Sequence, residues 1–96
     1  MRTGELTIDR ERYLVTVEGV RVRLTSKEFS ALIRLAEAGG RVVSYDTLAL
    51  TLWERADPAA RRRLAVTISR LRVKLGTAAQ YVDTVRPIGY RLTLTQ

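Results

Sequence analysis

The spacing of apolar residues changes at Thr25, and that change restricts the fold more than any other feature. Before it, the period is two. Tyr13, Val15 and Val17 alternate, Glu18-Gly19 turns, and Val20, Val22 and Leu24 alternate again with Arg21 and Arg23 on the other face. Leu6 and Ile8 point to a short earlier strand, ended by the polar turn Asp9-Arg10-Glu11. Residues 5–24 therefore read as an antiparallel meander whose single apolar face needs a covering layer.

After Thr25 the period is helical. Thr25 and Glu28 have the spacing of a capping box, and Phe29, Leu32, Ile33 and Ala36 follow as one apolar stripe, which predicts a helix over 26–38 stopped by Gly39-Gly40. Val42-Val43 is long enough only for a strand fragment. Ser44 caps a second helix over 45–53, with Asp46 in its first turn and a stripe of Tyr45, Leu48, Ala49 and Leu52. Asp57-Pro58 supplies an N-cap followed by proline at the first helical position, opening a third helix over 58–75. Its core stripe is Leu64, Ile68, Leu71 and Leu75; its other side carries Arg62, Arg63, Val66, Arg70 and Val73, flanked by Thr67 and Lys74. Residues 81–94 read as a hairpin around Arg86-Pro87-Ile88-Gly89, with proline second and a left-handed glycine fourth in a type I turn. The expectation is a single α+β domain over 1–96: an N-terminal antiparallel sheet, three helices and a C-terminal β-hairpin.

Charge is distributed as unevenly as period. Residues 1–58 hold nine basic and nine acidic side chains, whereas 59–96 hold eight basic ones and only Asp83 against them. The whole net charge of +7 thus belongs to the third helix and the hairpin, and 15 of the 17 basic residues are arginine, the side chain suited to forked contacts with phosphate and guanine. With no cysteine and no histidine, disulfides, thiolate zinc sites, thiol nucleophiles and the usual neutral-pH general base are excluded. No Gly-rich phosphate loop or nucleophile elbow is present, so an enzyme is not expected, nor a cofactor or a bound metal. No apolar run could span a bilayer and Met1–Glu5 has no signal-type apolar core, so a cytoplasmic protein is expected.

A helix that is apolar inside and arginine-rich outside fits the major groove of duplex DNA, with Val66 available for a thymine methyl. A narrow basic hairpin beside it, with Arg86 at its tip, suits an adjacent minor groove.

The chain resembles the winged helix-turn-helix effector domain of OmpR/PhoB-type bacterial response regulators. The resemblance is carried by Leu24-Thr25-Ser26-Lys27-Glu28-Phe29, by Val43-Ser44-Tyr45-Asp46 with Leu48 and Leu52-Trp53, by Val66 to Gly76, and by Tyr81 to Arg86 followed by Gly89-Tyr90-Arg91-Leu92. It implies transcriptional regulation in a two-component phosphorelay by sequence-specific binding of double-stranded DNA. By that resemblance Thr67 and Arg70 read bases with Val66 packing on a methyl, Arg62 and Lys74 belong to the same interface, and Arg63, Arg72, Thr84 and Tyr90 lie near phosphates. Arg86 enters the minor groove, Trp53 touches the backbone or else closes the core edge, and Glu54, Arg55, Ala56 and Asp57 form either a plain connector or a loop that contacts RNA polymerase. Head-to-tail pairing on direct-repeat DNA is implied too. Many members have His at the place of Thr67 and Gly at that of Pro87, so base preference does not transfer and the wing is stiffer here. Members usually carry a receiver domain ahead of this one, whereas here Met1 almost directly precedes the first strand; the chain is a fragment, a free-standing relative or part of another fusion.

Two other classes use the same basic half: RNA or ribosome binding, which favours exposed aromatics for stacking, and protein interaction through a winged helix. Only six aromatic residues exist, and most occupy core-like positions.

Overall fold

Residues 1–93 are described by a computed structural model; Leu94, the predicted end of the hairpin, lies outside the described residues. Strands β1 (Arg2–Thr3), β2 (Leu6–Asp9), β3 (Leu14–Val17) and β4 (Val20–Val22) form a four-stranded antiparallel sheet in sequential order. The period-two pattern sets the register: Leu6 faces Val17 and Ile8 faces Val15, and all four side chains are buried. Two alternation readings change. Tyr13 stands outside β3 with φ +52° and is largely exposed, its ring tilted on Phe29 at 4.8 Å. Val20 is exposed as well. Both flank turns, where the chain leaves the pleat before the alternation would turn them inward. β1 was not anticipated, being a two-residue strand with no periodicity to read.

Three helices, α1 (Ser26–Glu37), α2 (Tyr45–Trp53) and α3 (Pro58–Leu75), pack on one another, and their buried side chains join those of the sheet in one core. Each begins as its cap dictates. Thr25 and Glu28 close a reciprocal capping box, the Ser44 hydroxyl accepts from the Thr47 N–H, and the Asp57 carboxylate accepts from the Ala60 N–H with Pro58 in the first turn. The N–H of Ala60 is the largest influence holding the Asp57 carboxyl below its ordinary value, helped by Arg55. Leu64, Ile68, Leu71 and Leu75 are all buried, and transfer of such side chains contributes about 1.5–3 kcal/mol each. A 3-10 segment, Gly76–Tyr81, then leads into β6 (Val82–Val85) and β7 (Gly89–Leu92). Val43 and Ser44 form β5, which pairs with β7 to give a second sheet of order β5-β7-β6.

The hairpin turn differs from the expected one. Ile88 N–H donates to the Val85 carbonyl at 2.7 Å and the Arg86–Pro87 peptide is cis, so proline is third in a type VI turn rather than second in a type I turn. Gly89 is not left-handed; it lies inside β7, where a Cβ would collide with the Val43 carbonyl and crowd the Ser44 Cα. Glycine is needed there because β5 and β7 approach closely.

Glu28 serves a second purpose. Its side chain is 3% exposed, and its Oε1 accepts from Lys74 Nζ at 2.7 Å, tying the start of α1 to the end of α3. Burial raises its carboxyl pKa, but the hydrogen bonds from Lys74 and Thr25 and the Lys74 charge together leave it below the ordinary 4.5. A depressed folded-state value contributes stability that is fully present above the ordinary value and is lost as pH falls from there through the depressed one. Lys74→Ala is expected to cost about 2 kcal/mol in urea unfolding at neutral pH, because a buried carboxylate loses its counter-charge, and progressively less as the pH falls through the depressed folded-state value and Glu28 takes up its proton. A cost independent of pH would show the pair to be irrelevant.

Candidate nucleic-acid interface

The core stripe of α3 turns its remaining side chains outward. Arg62, Arg63 and Arg70 are exposed, Val66 is 47% and Val73 79% exposed, and Thr67 is half-buried with its hydroxyl donating to the Arg63 carbonyl at 2.8 Å. From residue 58 to residue 82 there is no carboxylate. On one flank, Trp53 at the end of α2 joins Arg62, Arg63, Val66, Thr67 and Arg70 around a shallow groove of about 450 Å³. The indole is half-buried with the Lys27 ammonium 5.8 Å from its ring centre, so it closes the core edge and lines the groove at once.

On the other flank the hairpin stands beside α3. A second groove, of about 420 Å³, is lined by Arg61, Ala65 and Arg72 from the helix and by Thr84, Arg86 and Tyr90 from β6, the turn and β7. Tyr90 is buried; burial chiefly raises its hydroxyl pKa, Tyr45 adds to this, and the nearby charges of Arg72 and Arg86 oppose it. Its ring meets that of Tyr45 edge-on at 5.4 Å. Tyr45 and Arg61 were not anticipated as members of this surface. Arg61 forks onto the Asp46 carboxylate through Nε at 2.9 Å and Nη2 at 2.6 Å, and lies 6.0 Å from the Tyr45 ring centre. Their only sequence signal is the spacing of residues 61, 65 and 72, a stripe beside the core stripe.

The basic side chains divide by what they bind. Arg61 holds Asp46, Lys74 holds Glu28, and Arg91 lies 3.5 Å from Asp83. Arg72 donates to the Val82 carbonyl and the Thr84 hydroxyl. Arg62, Arg63, Arg70 and Arg86 are exposed and have no hydrogen-bond or ion-pair partner among the described residues. The sequence reading made no such distinction: it put Lys74 and Arg72 with the free arginines, whereas both reach back into the domain.

The connector between α2 and α3 is shaped by its own contacts. Glu54 takes a left-handed φ of +59°, its N–H capping α2 at the Leu50 carbonyl. Asp57 caps α3 and pairs with Arg55, and Ala56 is half-buried. Glu54 and Arg55 are the exposed members. Among the described residues no helix is long and apolar enough to cross a membrane.

Residues 18–92 match the family described as "Transcriptional regulatory protein, C terminal". The chain is 38% identical over 89 residues to the transcriptional regulatory protein CseB of Streptomyces avermitilis, which covers 93% of this chain but only 37% of CseB. It is similar in structure to the DNA-binding domain of Klebsiella pneumoniae RstA, solved in complex with the RstA box, with a TM-score of 0.84 and 33% identity over 97% of this chain and 95% of that one. The response regulator DrrB of Thermotoga maritima, an OmpR/PhoB homolog, gives a TM-score of 0.85 and 34% identity over 97% of this chain and 43% of DrrB. The chain therefore spans well under half the length of CseB and DrrB. With a four-stranded sheet, three helices and a hairpin in this order, and a match over residues 18–92, the chain belongs to the family of transcriptional regulatory protein C-terminal domains, the winged-helix effector domains of the OmpR/PhoB type.

Proposed function

We propose that this chain binds double-stranded DNA sequence-specifically, as the effector part of a cytoplasmic transcriptional regulator and without catalytic activity of its own. The observation that carries the reading is the free set Arg62, Arg63, Arg70 and Arg86, which spans an outward helix face and an adjacent hairpin tip on a surface where α3 supplies no acid. In this reading α3 lies in the major groove, with Arg70 and Thr67 at base edges and Val66 at a thymine methyl, and Arg62 and Arg63 at phosphates. Trp53, Thr84 and Tyr90 border the backbone on either side. The complex of the RstA DNA-binding domain with the RstA box supports DNA binding by analogy.

Two finer proposals go with it. Pairing of two copies head-to-tail on direct repeats follows from the family resemblance. A contact with RNA polymerase through residues 54–57 would use Glu54 and Arg55, since Asp57 is committed to capping α3.

Arg86 tests the wing. A narrow A·T-rich minor groove concentrates negative potential, so an arginine inserted there prefers A·T flanks without reading hydrogen bonds. Arg86→Ala is expected to remove the preference among duplexes that share one core and differ in flanking A·T content, while leaving the core preference intact. Full retention of the flank preference would make Arg86 an ordinary surface charge.

A further inference from the structure

We propose that Arg72 is a positioning residue: it fixes the angle between α3 and the β6–β7 hairpin, and with it the separation of the two grooves they enter. The inference rests on the DNA-binding reading above and assigns to Arg72 a role other than a phosphate contact.

The geometry is that of a strut. Arg72 Nε and Nη2 donate to the Val82 carbonyl at 3.0 and 2.6 Å, and Nη2 also donates to the Thr84 hydroxyl at 2.7 Å. The guanidinium carbon lies 5.7 Å from the centre of the Tyr90 ring. One side chain of α3 therefore holds both strands of the hairpin. β6 is an edge strand in the order β5-β7-β6, and Val82 is buried, so its carbonyl needs a partner that no further strand among the described residues provides.

The connection from α3 to β6 does not fix this angle. It passes from α3 to β6 through the 3-10 segment and Gly76, which has φ +57° and ψ −117°. Val82 and Leu92 bury the base of the hairpin in the core. Toward the tip, Thr84 and Tyr90 are where Arg72 acts, one residue pair below Val85 and Gly89. β5 pairs with β7 at Val43–Tyr90 and Ser44–Gly89, and the Tyr45 N–H donates to the Ile88 carbonyl at 3.1 Å, so β7 is tied to the start of α2. Removing the fork frees β6, the edge strand that runs into Arg86, from α3. Lysine would not replace it, because a single ammonium cannot brace two acceptors along one plane and lie flat on a ring.

The test compares wild type, Arg72→Gln, Arg72→Lys and Arg63→Ala by two measurements. Amide hydrogen exchange on the free protein is read at Asp83 and Arg91, the β6–β7 pair between Val82 and Thr84, and in the α3 core. Binding is measured on duplexes with one core and varied A·T flanks. Both Arg72 variants are expected to lose about tenfold or more of the protection at Asp83 and Arg91, as befits loss of a charged hydrogen-bonded fork, with the α3 core changing far less. They are also expected to lose most of the flank preference while keeping the core preference. Arg63→Ala should weaken binding with wild-type exchange and an intact flank preference. Unchanged protection in both Arg72 variants, uniform loss throughout the chain, or a retained flank preference would each overturn the proposal. A wild-type chain that shows no duplex binding, while its exchange responds to Arg72 as described, would instead overturn the DNA reading on which the strut's purpose depends.

Discussion

Raising monovalent salt from about 50 to about 200 mM is expected to weaken duplex binding by about 150-fold per bound protomer. The figure comes from the free charges. Each phosphate neutralised by a cationic side chain releases condensed counterions and contributes about −0.9 to the slope of log affinity against log salt. The unpaired side chains Arg62, Arg63, Arg70 and Arg86, each counted as one neutralised phosphate, give a slope of about −3.6, and release of both Arg61 and Arg91 from their carboxylates would steepen it toward about −5.4. A gel-shift or anisotropy series over this salt range reads the slope directly. A nearly flat slope would contradict nucleic-acid binding of any kind, since the unpaired cations would then meet no polyanion.

Arg70→Ala is expected to cost about 1–3 kcal/mol at the preferred site, about 5- to 150-fold in affinity, and much less on random duplex. Arg70 is exposed, unpaired and beside Val66 and Thr67 in the same groove, which suits a bidentate contact to a guanine edge. Arg63→Ala should weaken preferred and random duplexes more equally, because a phosphate carries no sequence information. Equal losses for Arg70→Ala on both duplexes would reassign it to the backbone.

What could be read from the sequence followed from local physics. The caps at Thr25, Ser44 and Asp57 and the stripe at Leu64, Ile68, Leu71 and Leu75 depend on neighbours within a turn or two, so residue type and spacing expose them. The period-two pattern likewise sets the pairing of Leu6 with Val17 and Ile8 with Val15. The misses were long-range or conformational. Lys74 meets Glu28 across 46 positions, and Arg72 meets Val82 and Thr84 across a 3-10 segment. Nothing in a charge count separates such tied cations from free ones. Gly89 was assigned the wrong cause: the fold requires its missing Cβ, not a left-handed backbone. Pro87 was set one place early in its turn because sequence does not reveal which isomer the preceding peptide adopts. Tyr13 showed the alternation of a strand residue but falls in the turn before β3.

The central claim is that the outward face of α3 and the wing together select a duplex sequence. Selection of bound molecules from a pool of random duplexes, followed by competition of the winner against random duplex, single-stranded DNA and structured RNA, tests it most directly. The account predicts a defined core with A·T-rich flanks, bound about a thousandfold or more tighter than random duplex at physiological salt, with single strands and RNA competing no better than random duplex. Emergence of no consensus, or displacement of the winner by structured RNA at equal concentration, would contradict it.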